Sequence, residues 1–252
     1  MITMRRLGKY GRFGNQIFQY AFLRIASGGD YQCPPWIGQY LFGHKDPPVT
    51  RKLRTTVRET KVYDADKSRV LGRNNINIEG HFQYHTSFYA PHRDSFCSWF
   101  QPVGDVRTLV SGIVPSNGTT VGVHLRRGAY ARRRRNRNPK QYFAAPTEWY
   151  THWLSDNASR LTTPVTVFVA STSDEAKSDF PERLTSNVDI TAAPYYPDFY
   201  ALTQCDVLLL SNSSFGFAAS MLNSRAKEFW RPNSDRTGLE PYDPWNAHTQ
   251  LR

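Results

Sequence analysis

The sequence predicts an α/β protein built on parallel sheets, and three observations carry the prediction. Apolar runs at 121–125 (VGVHL), 165–170 (VTVFVA) and 206–210 (DVLLL) have the length of strands. Segments of helical period stand between and after them, the alternation of crossover units, whose strands pair in parallel. Residues 207–210 are apolar without interruption, which suits a strand buried on both faces.

The elements follow in order. Residues 2–7 (ITMRRL) read as a short strand, followed by a glycine-rich turn from Gly8 to Gly14. Ile17, Phe18, Ala21, Phe22 and Ile25 then recur at helical spacing, and Gly28-Gly29 stops the helix. Residues 30–75 are rich in proline and charge and carry no assignable pattern. Residues 76–100 hold a short strand and an aromatic, His-rich segment. Residues 101–119 read as a linker or short helix, with a boundary near 100–120 that divides 1–110 from 111–252. Beyond strand 121–125 come a polar loop to about 145 and a helix near 147–161, built on Tyr150, Trp153, Leu154 and Leu161. Strand 165–170, a helix from about 174, a short helix at 197–204, strand 206–210 and an apolar helix at 215–222 complete the pattern.

A chain of 252 residues suffices for one large α/β domain or two small ones. Hydrophobic content is only 39%, but aromatics reach 14%, so Trp, Tyr and Phe fill much of the core. A net charge of +11 favours anionic partners: nucleotides, nucleic acid, anionic lipid or acidic glycans. Cys33, Cys97 and Cys205 form no CxxC and no Cys/His cluster, which argues against zinc and fits a reducing compartment. The N-terminus lacks an apolar signal region and no run of 18 apolar residues occurs. The expected location is the cytoplasm, with at most a weak peripheral association with anionic membrane.

Three segments point to an anionic ligand. In VGVHLRRGAY (121–130), Arg126 and Arg127 follow the strand's C-terminal end, the edge where open α/β sheets bind ligands. Two guanidinium forks there suit a pyrophosphate, although a solvated pair after an edge strand would look the same. Gly11–Gln16 (GRFGNQ) opens a helix, whose N–H groups attract anions; it is neither GxGxxG nor a P-loop, and taken alone an ordinary glycine turn explains it better. Ser211–Phe215 (SNSSF) joins a buried strand to an apolar helix, where Ser213 and Ser214 either cap the helix or bind phosphate.

Three other segments argue less. Arg132–Arg135 with Arg137 lacks the interleaved aromatics of a nucleic-acid surface and reads as a solvated loop, so no specific nucleic-acid partner is expected. Asp64 and Asp66 make a lone DxD. His81, His85, His92 and Asp94 fit no zinc spacing and read as a substrate wall.

Taken in order, the motifs resemble the α-1,2-fucosyltransferases. GRFGNQIFQYAF (11–22) is similar to their G-x-x-G-N-Q-x-F-Q-Y-A signature, and GHFQYHTSF (80–88) to their aromatic G-Y-x-Q segment. VHLRRGAY (123–130) resembles H-x-R-R-G-D-Y, and YPDFYALTQCDVLLLSNSSFGFAASMLN (196–223) resembles the block ending N-S-S-F-S-W-W-A-A-W-L-N. The resemblance implies a GT-B-like fold of two facing Rossmann-like halves with parallel sheets. The N-terminal half would bind an oligosaccharide acceptor and the C-terminal half the donor, GDP-β-L-fucose, with inversion and without a metal or other cofactor.

By motif match, Arg126 holds the β-phosphate and Arg127 supports its loop. Ser213, Ser214 and Phe215 close over the pyrophosphate. His124 and Asp198 fall near the nucleoside, with Asp174 as a further candidate. Arg12, Gly14 and Asn15 approach from the other half, and His81, Gln83 and His85 lie on the acceptor side. The general base is unassigned, with His81, His85 and Asp94 as candidates. Two departures stand out: Ala129 replaces the acid after R-R-G, and the chain reads S-F-G-F where the family reads S-F-S-W-W. Ala129 keeps open a transferase of another nucleotide deoxysugar, such as GDP-rhamnose, or a catalytically impaired homologue that still binds nucleotide sugar.

Overall fold

A computed structural model describes residues 1–60, 67, 69–127, 143–180 and 183–250. Asp64, Asp66, Ala129 and the arginines at 132–137 lie outside the described residues. The chain divides into two compact units, Met1–Val106 and Arg107–Arg252.

The first unit carries strands β1 (Ile2–Thr3), β2 (Tyr31–Gln32), β3 (Thr55–Arg58) and β4 (Ile76–Glu79). They pair in parallel in the order β2-β1-β4-β3, with Ile2 opposite both Tyr31 and Ile76. The expected strand at 2–7 is therefore only two residues long. From Met4 the chain turns, closed by Leu7 N–H to Met4 O at 3.2 Å and Lys9 N–H to Arg6 O at 3.0 Å. Helix α1 (Phe13–Ser27) starts earlier than its apolar spacing suggested and buries every residue from Ile17 to Leu23. Its aromatics build the core: Phe22 stacks on Phe82 at 4.1 Å, and Phe18 meets Tyr89 edge-on at 5.7 Å. The stretch 30–75, unreadable in sequence, contains β2, β3 and helix α2 (Ile37–Phe42). Beside it Asp46 accepts hydrogen bonds from Tyr31 Oη (2.7 Å), Tyr20 Oη (2.9 Å) and Trp36 Nε1 (3.2 Å). Helices α3 (Arg93–Trp99) and α4 (Gly104–Val110) lead out of this unit.

The second unit carries β5 (Thr119–Leu125), α5 (Glu148–Asn157), β6 (Val165–Ser171), α6 (Asp174–Ser178), β7 (Arg183–Leu184), α7 (Tyr196–Leu202), β8 (Val207–Leu210), α8 (Ser214–Leu222), β9 (Glu228–Pro232) and β10 (Leu239–Pro241). The sheet order is β10-β9-β8-β5-β6-β7, parallel throughout except for β10. The longest strands, β5 and β6, lie inside, and the shortest, β7, at an edge, as apolar content dictates. Val121, Val123 and Leu125 point to one face, against Tyr150 and Trp153 of α5. Gly122 and His124 point to the other, where Gly122 leaves room for Cys205 and Leu208.

The α/β class predicted from sequence is what the structure shows, in two parallel-sheet units. All three cysteines are free. Among the described residues no helix is long and apolar enough to cross a membrane.

Candidate functional site

In the second unit, β5 and β8 are neighbours, so His124, Arg126 and the loop 211–213 emerge at one sheet edge. Ser211 joins them. Its N–H donates to His124 O at 3.0 Å, its Oγ accepts Arg126 N–H at 3.0 Å, and the same Oγ lies 3.0 Å from His124 Nδ1. The His124 ring stacks on Phe215 at 5.3 Å. This close approach needs Gly216, because a Cβ there would sit 2.8 Å from His124 Nδ1. Burial, with Arg126 and Arg127 adding to it, pushes the His124 pKa down to about 3, so the ring is neutral near pH 7.

Ser213 is the N-cap of α8, its Oγ accepting Phe215 N–H at 3.3 Å. Ser214 opens the helix and Phe215 follows it, packed against Phe199 at 5.2 Å and Tyr195 at 6.5 Å. The far end of α8 is pinned by Asn223. Its Nδ2 donates to Leu202 O and Cys205 O, both at 2.9 Å, and its Oδ1 accepts from the N–H groups of Arg225 and Ala226, both at 2.7 Å.

Asp198 lies in the first turn of α7. Burial raises its pKa to about 6, with Lys177 opposing, and it has no hydrogen-bond partner among the described residues. Asp174 is almost fully exposed and pairs with Lys177 at 3.5 Å. Arg127 turns toward α5, donating to Thr147 Oγ1 at 2.9 Å.

The first unit brings two other motifs together. Gln19 Nε2 donates to Tyr10 O (2.9 Å) and Gly80 O (2.8 Å), and Gln83 Nε2 donates to Asn15 Oδ1 at 2.6 Å. The turn 11–16 thus packs beside the segment 80–85. Gly11 adopts φ +88°, and a Cβ there would lie 2.4 Å from Asn15 Nδ2, so glycine is required twice over. Arg12 stands exposed before α1, and Gly14 is buried in its first turn. His81 stacks on Tyr10 at 4.4 Å, and its N–H donates to Glu59 Oε2 at 2.7 Å. Phe82 takes a positive φ of 52°, held by stacking on Phe22 and by the Tyr89 hydroxyl on its carbonyl. His85 caps the short turn Thr86–Phe88, its Nδ1 lying 2.8 Å from Ser87 Oγ. Asp94 lies exposed in the first turn of α3.

Sequence reasoning passed over Ser211, Gly216, Gln19 and Thr147. Ser211, Gly216 and Gln19 stood inside the quoted motifs without roles of their own, and Thr147 carries no signal outside its contact with Arg127. Among the described residues no group of three or more His, Cys, Asp or Glu is placed to hold a metal ion.

A capped helix N-terminus, Arg126 and a neutral histidine stand together at the C-terminal edge of a parallel sheet, groups able to hold an anionic ligand such as a phosphate. Comparison with protein families agrees: Glycosyl transferase family 11 matches residues 3–228. The chain belongs to that family and is a glycosyltransferase. No curated protein matches it in sequence. Among solved structures it is similar to a mutant of Arabidopsis thaliana FUT1 in complex with GDP, at 12% identity and TM-score 0.60, covering 99% of this chain and 75% of that one. It is similar to the fucosyltransferase NodZ from Bradyrhizobium, at 13% identity and TM-score 0.57, covering 96% and 98%. It is also similar to POFUT1 in complex with GDP-fucose, at 12% identity and TM-score 0.53, covering 91% and 96%. At these identities the likeness is one of fold.

Proposed function

We propose that the protein transfers L-fucose from GDP-β-L-fucose to a hydroxyl of a galactose-like acceptor, with inversion, in an α-1,2 linkage and without a metal. One observation carries this reading. The end of β5, with His124 and Arg126, and the capped start of α8, with Ser213, are locked together at one sheet edge. That edge offers what a nucleoside diphosphate needs: guanidinium and helix N–H groups for the phosphates, and a neutral imidazole for the base. Family membership and the ligands of the similar structures, GDP and GDP-fucose, support the choice of nucleotide.

In this reading Arg126 binds the β-phosphate and Arg127, tied to Thr147, holds its loop. Ser213, Ser214 and Phe215 close over the pyrophosphate. Asp198 accepts two N–H bonds from guanine, beside His124. Residues 1–110 supply the acceptor side, with His81, Gln83 and His85, while Arg12, Gly14 and Asn15 approach the donor.

The acceptor oxygen attacks C1 of fucose from the face opposite the phosphate. The C1–O bond breaks, its electron pair leaves with GDP, and the proton of the acceptor hydroxyl passes to water. Negative charge grows on the β-phosphate as the sugar becomes oxocarbenium-like, and Arg126 with the helix N–H groups stabilises that charge. Arg126→Ala is therefore expected to lower kcat by about 10²–10³ while the thermal melt is unchanged. Wild-type kcat in a folded variant refutes the assignment. Activity is expected to survive EDTA.

Ala129 favours a second reading, transfer of another GDP-deoxysugar such as GDP-rhamnose. Turnover of a panel of GDP-sugars separates the two.

A further inference from the structure

The Ser211 hydroxyl has one proton and two hydrogen-bonding neighbours, the Arg126 N–H and His124 Nδ1. The Arg126 N–H can only donate, so at 3.0 Å it occupies a lone pair of Ser211 Oγ. The hydroxyl proton is then aimed at its remaining partner, His124 Nδ1, also at 3.0 Å. The reverse arrangement, with Nδ1–H donating to Oγ, would leave the hydroxyl proton without an acceptor among the described residues, on a side chain only 3% exposed. Nδ1 is thus an acceptor, and the neutral ring carries its proton on Nε2. Ring rotation is opposed by Phe215 on one face and by the crowding at Gly216.

We infer that Ser211 is a positioning residue that fixes His124 as its Nε2–H tautomer, so that the imidazole presents a hydrogen-bond donor to the nucleotide base. The inference rests on the proposed placement of His124 beside the nucleoside. An Nε2–H donor suits the O6 carbonyl of guanine and opposes the amino group that adenine carries at the same ring position; bare ring nitrogens, which both bases have, do not tell the two apart. Selectivity for GDP over ADP therefore passes through a residue that need not touch either. The same hydroxyl fixes the backbone from which Arg126 departs, so base and phosphate recognition share one anchor.

The test uses the full chain. Nitrogen-15 NMR of the imidazole, with His124 assigned by comparison with His124→Gln, should show Nδ1 bare and Nε2 protonated. In Ser211→Ala the tautomers should mix and the GDP-to-ADP affinity ratio, measured by calorimetry, should fall roughly tenfold, as when the partner that orients a ligating histidine is lost. Ser211→Thr keeps the hydroxyl and should restore both. A wild-type spectrum with Nδ1 protonated overturns the inference without any variant. So does a Ser211→Ala protein that keeps the wild-type tautomer or the wild-type ratio. If His124→Gln and Arg126→Ala both bind GDP as wild type does, the proposed donor site has failed, whatever the spectrum shows.

Discussion

Gly216→Ala sets two effects of opposite sign against each other. Gly216 lies in the first turn of α8, with no strain in its φ, so alanine gains about 1 kcal/mol in helix propensity. Against this, the new Cβ would stand 2.8 Å from His124 Nδ1, 3.2 Å from His124 Cγ and 3.2 Å from Leu210 Cδ2. Nothing there yields cheaply. The His124 ring is only 5% exposed, stacked on Phe215 and bonded to Ser211, and Leu210 is 1% exposed. Overpacking of this kind costs about 1–3 kcal/mol. If the ring swings away, it leaves a buried nitrogen and a buried hydroxyl unpaired, at about 1–3 kcal/mol for each group. Net of the propensity gain, the expectation is a loss of up to about 2 kcal/mol if the ring holds its place and about 1–5 kcal/mol if it swings away, hence a melting point lower by up to about 8 °C or by about 2–20 °C for a protein of this size. GDP affinity should fall as well, because the displaced group is the one proposed to meet the base. Thermal melts with and without GDP, together with calorimetric titration, read both effects. A Gly216→Ala protein as stable as wild type and equally tight for GDP would refute the close-packing argument.

Two further perturbations test other parts of the reading. Asp198, with its pKa raised by burial to about 6, must be ionised to accept from guanine, so GDP binding should weaken as pH falls through about 6, and Asp198→Asn should flatten that dependence in titrations between pH 5 and 8. For folding the sign is opposite: a raised carboxyl pKa favours the native state at low pH, and that contribution is lost as pH rises from the unfolded value near 4 through about 6. Asp46→Ala strips Tyr20, Tyr31 and Trp36 of a shared acceptor and should cost about 3–5 kcal/mol in denaturant unfolding; a loss under 1 kcal/mol would show the cluster to be held by packing alone.

What the sequence revealed follows from length and burial. β5, β6 and β8 were legible because they are apolar runs of four to seven residues in the sheet interior. β1 and β2 have two residues each, too few for any period, and the first unit takes its stability from aromatic rings scattered between Phe18 and Phe100. β9 escaped notice because four of its five residues are only partly buried, so no alternation shows. The donor-side motifs could be read as charges and hydroxyls at strand ends. Their connection could not: Ser211 meets Arg126 and His124 across more than eighty residues, and Gln19 reaches Gly80 across sixty-one. Such pairings exist only once the sheet has set its strand order.

Asn223 gives α8 a particular thermodynamic character. With its last turn moored by four hydrogen bonds and its first turn capped by Ser213, the helix is ordered before any anion arrives. Binding then spends little conformational entropy on this element. Capture by it should be set by diffusion and long-range attraction to a basic protein, and should slow with added salt more than with added viscosity-neutral osmolyte.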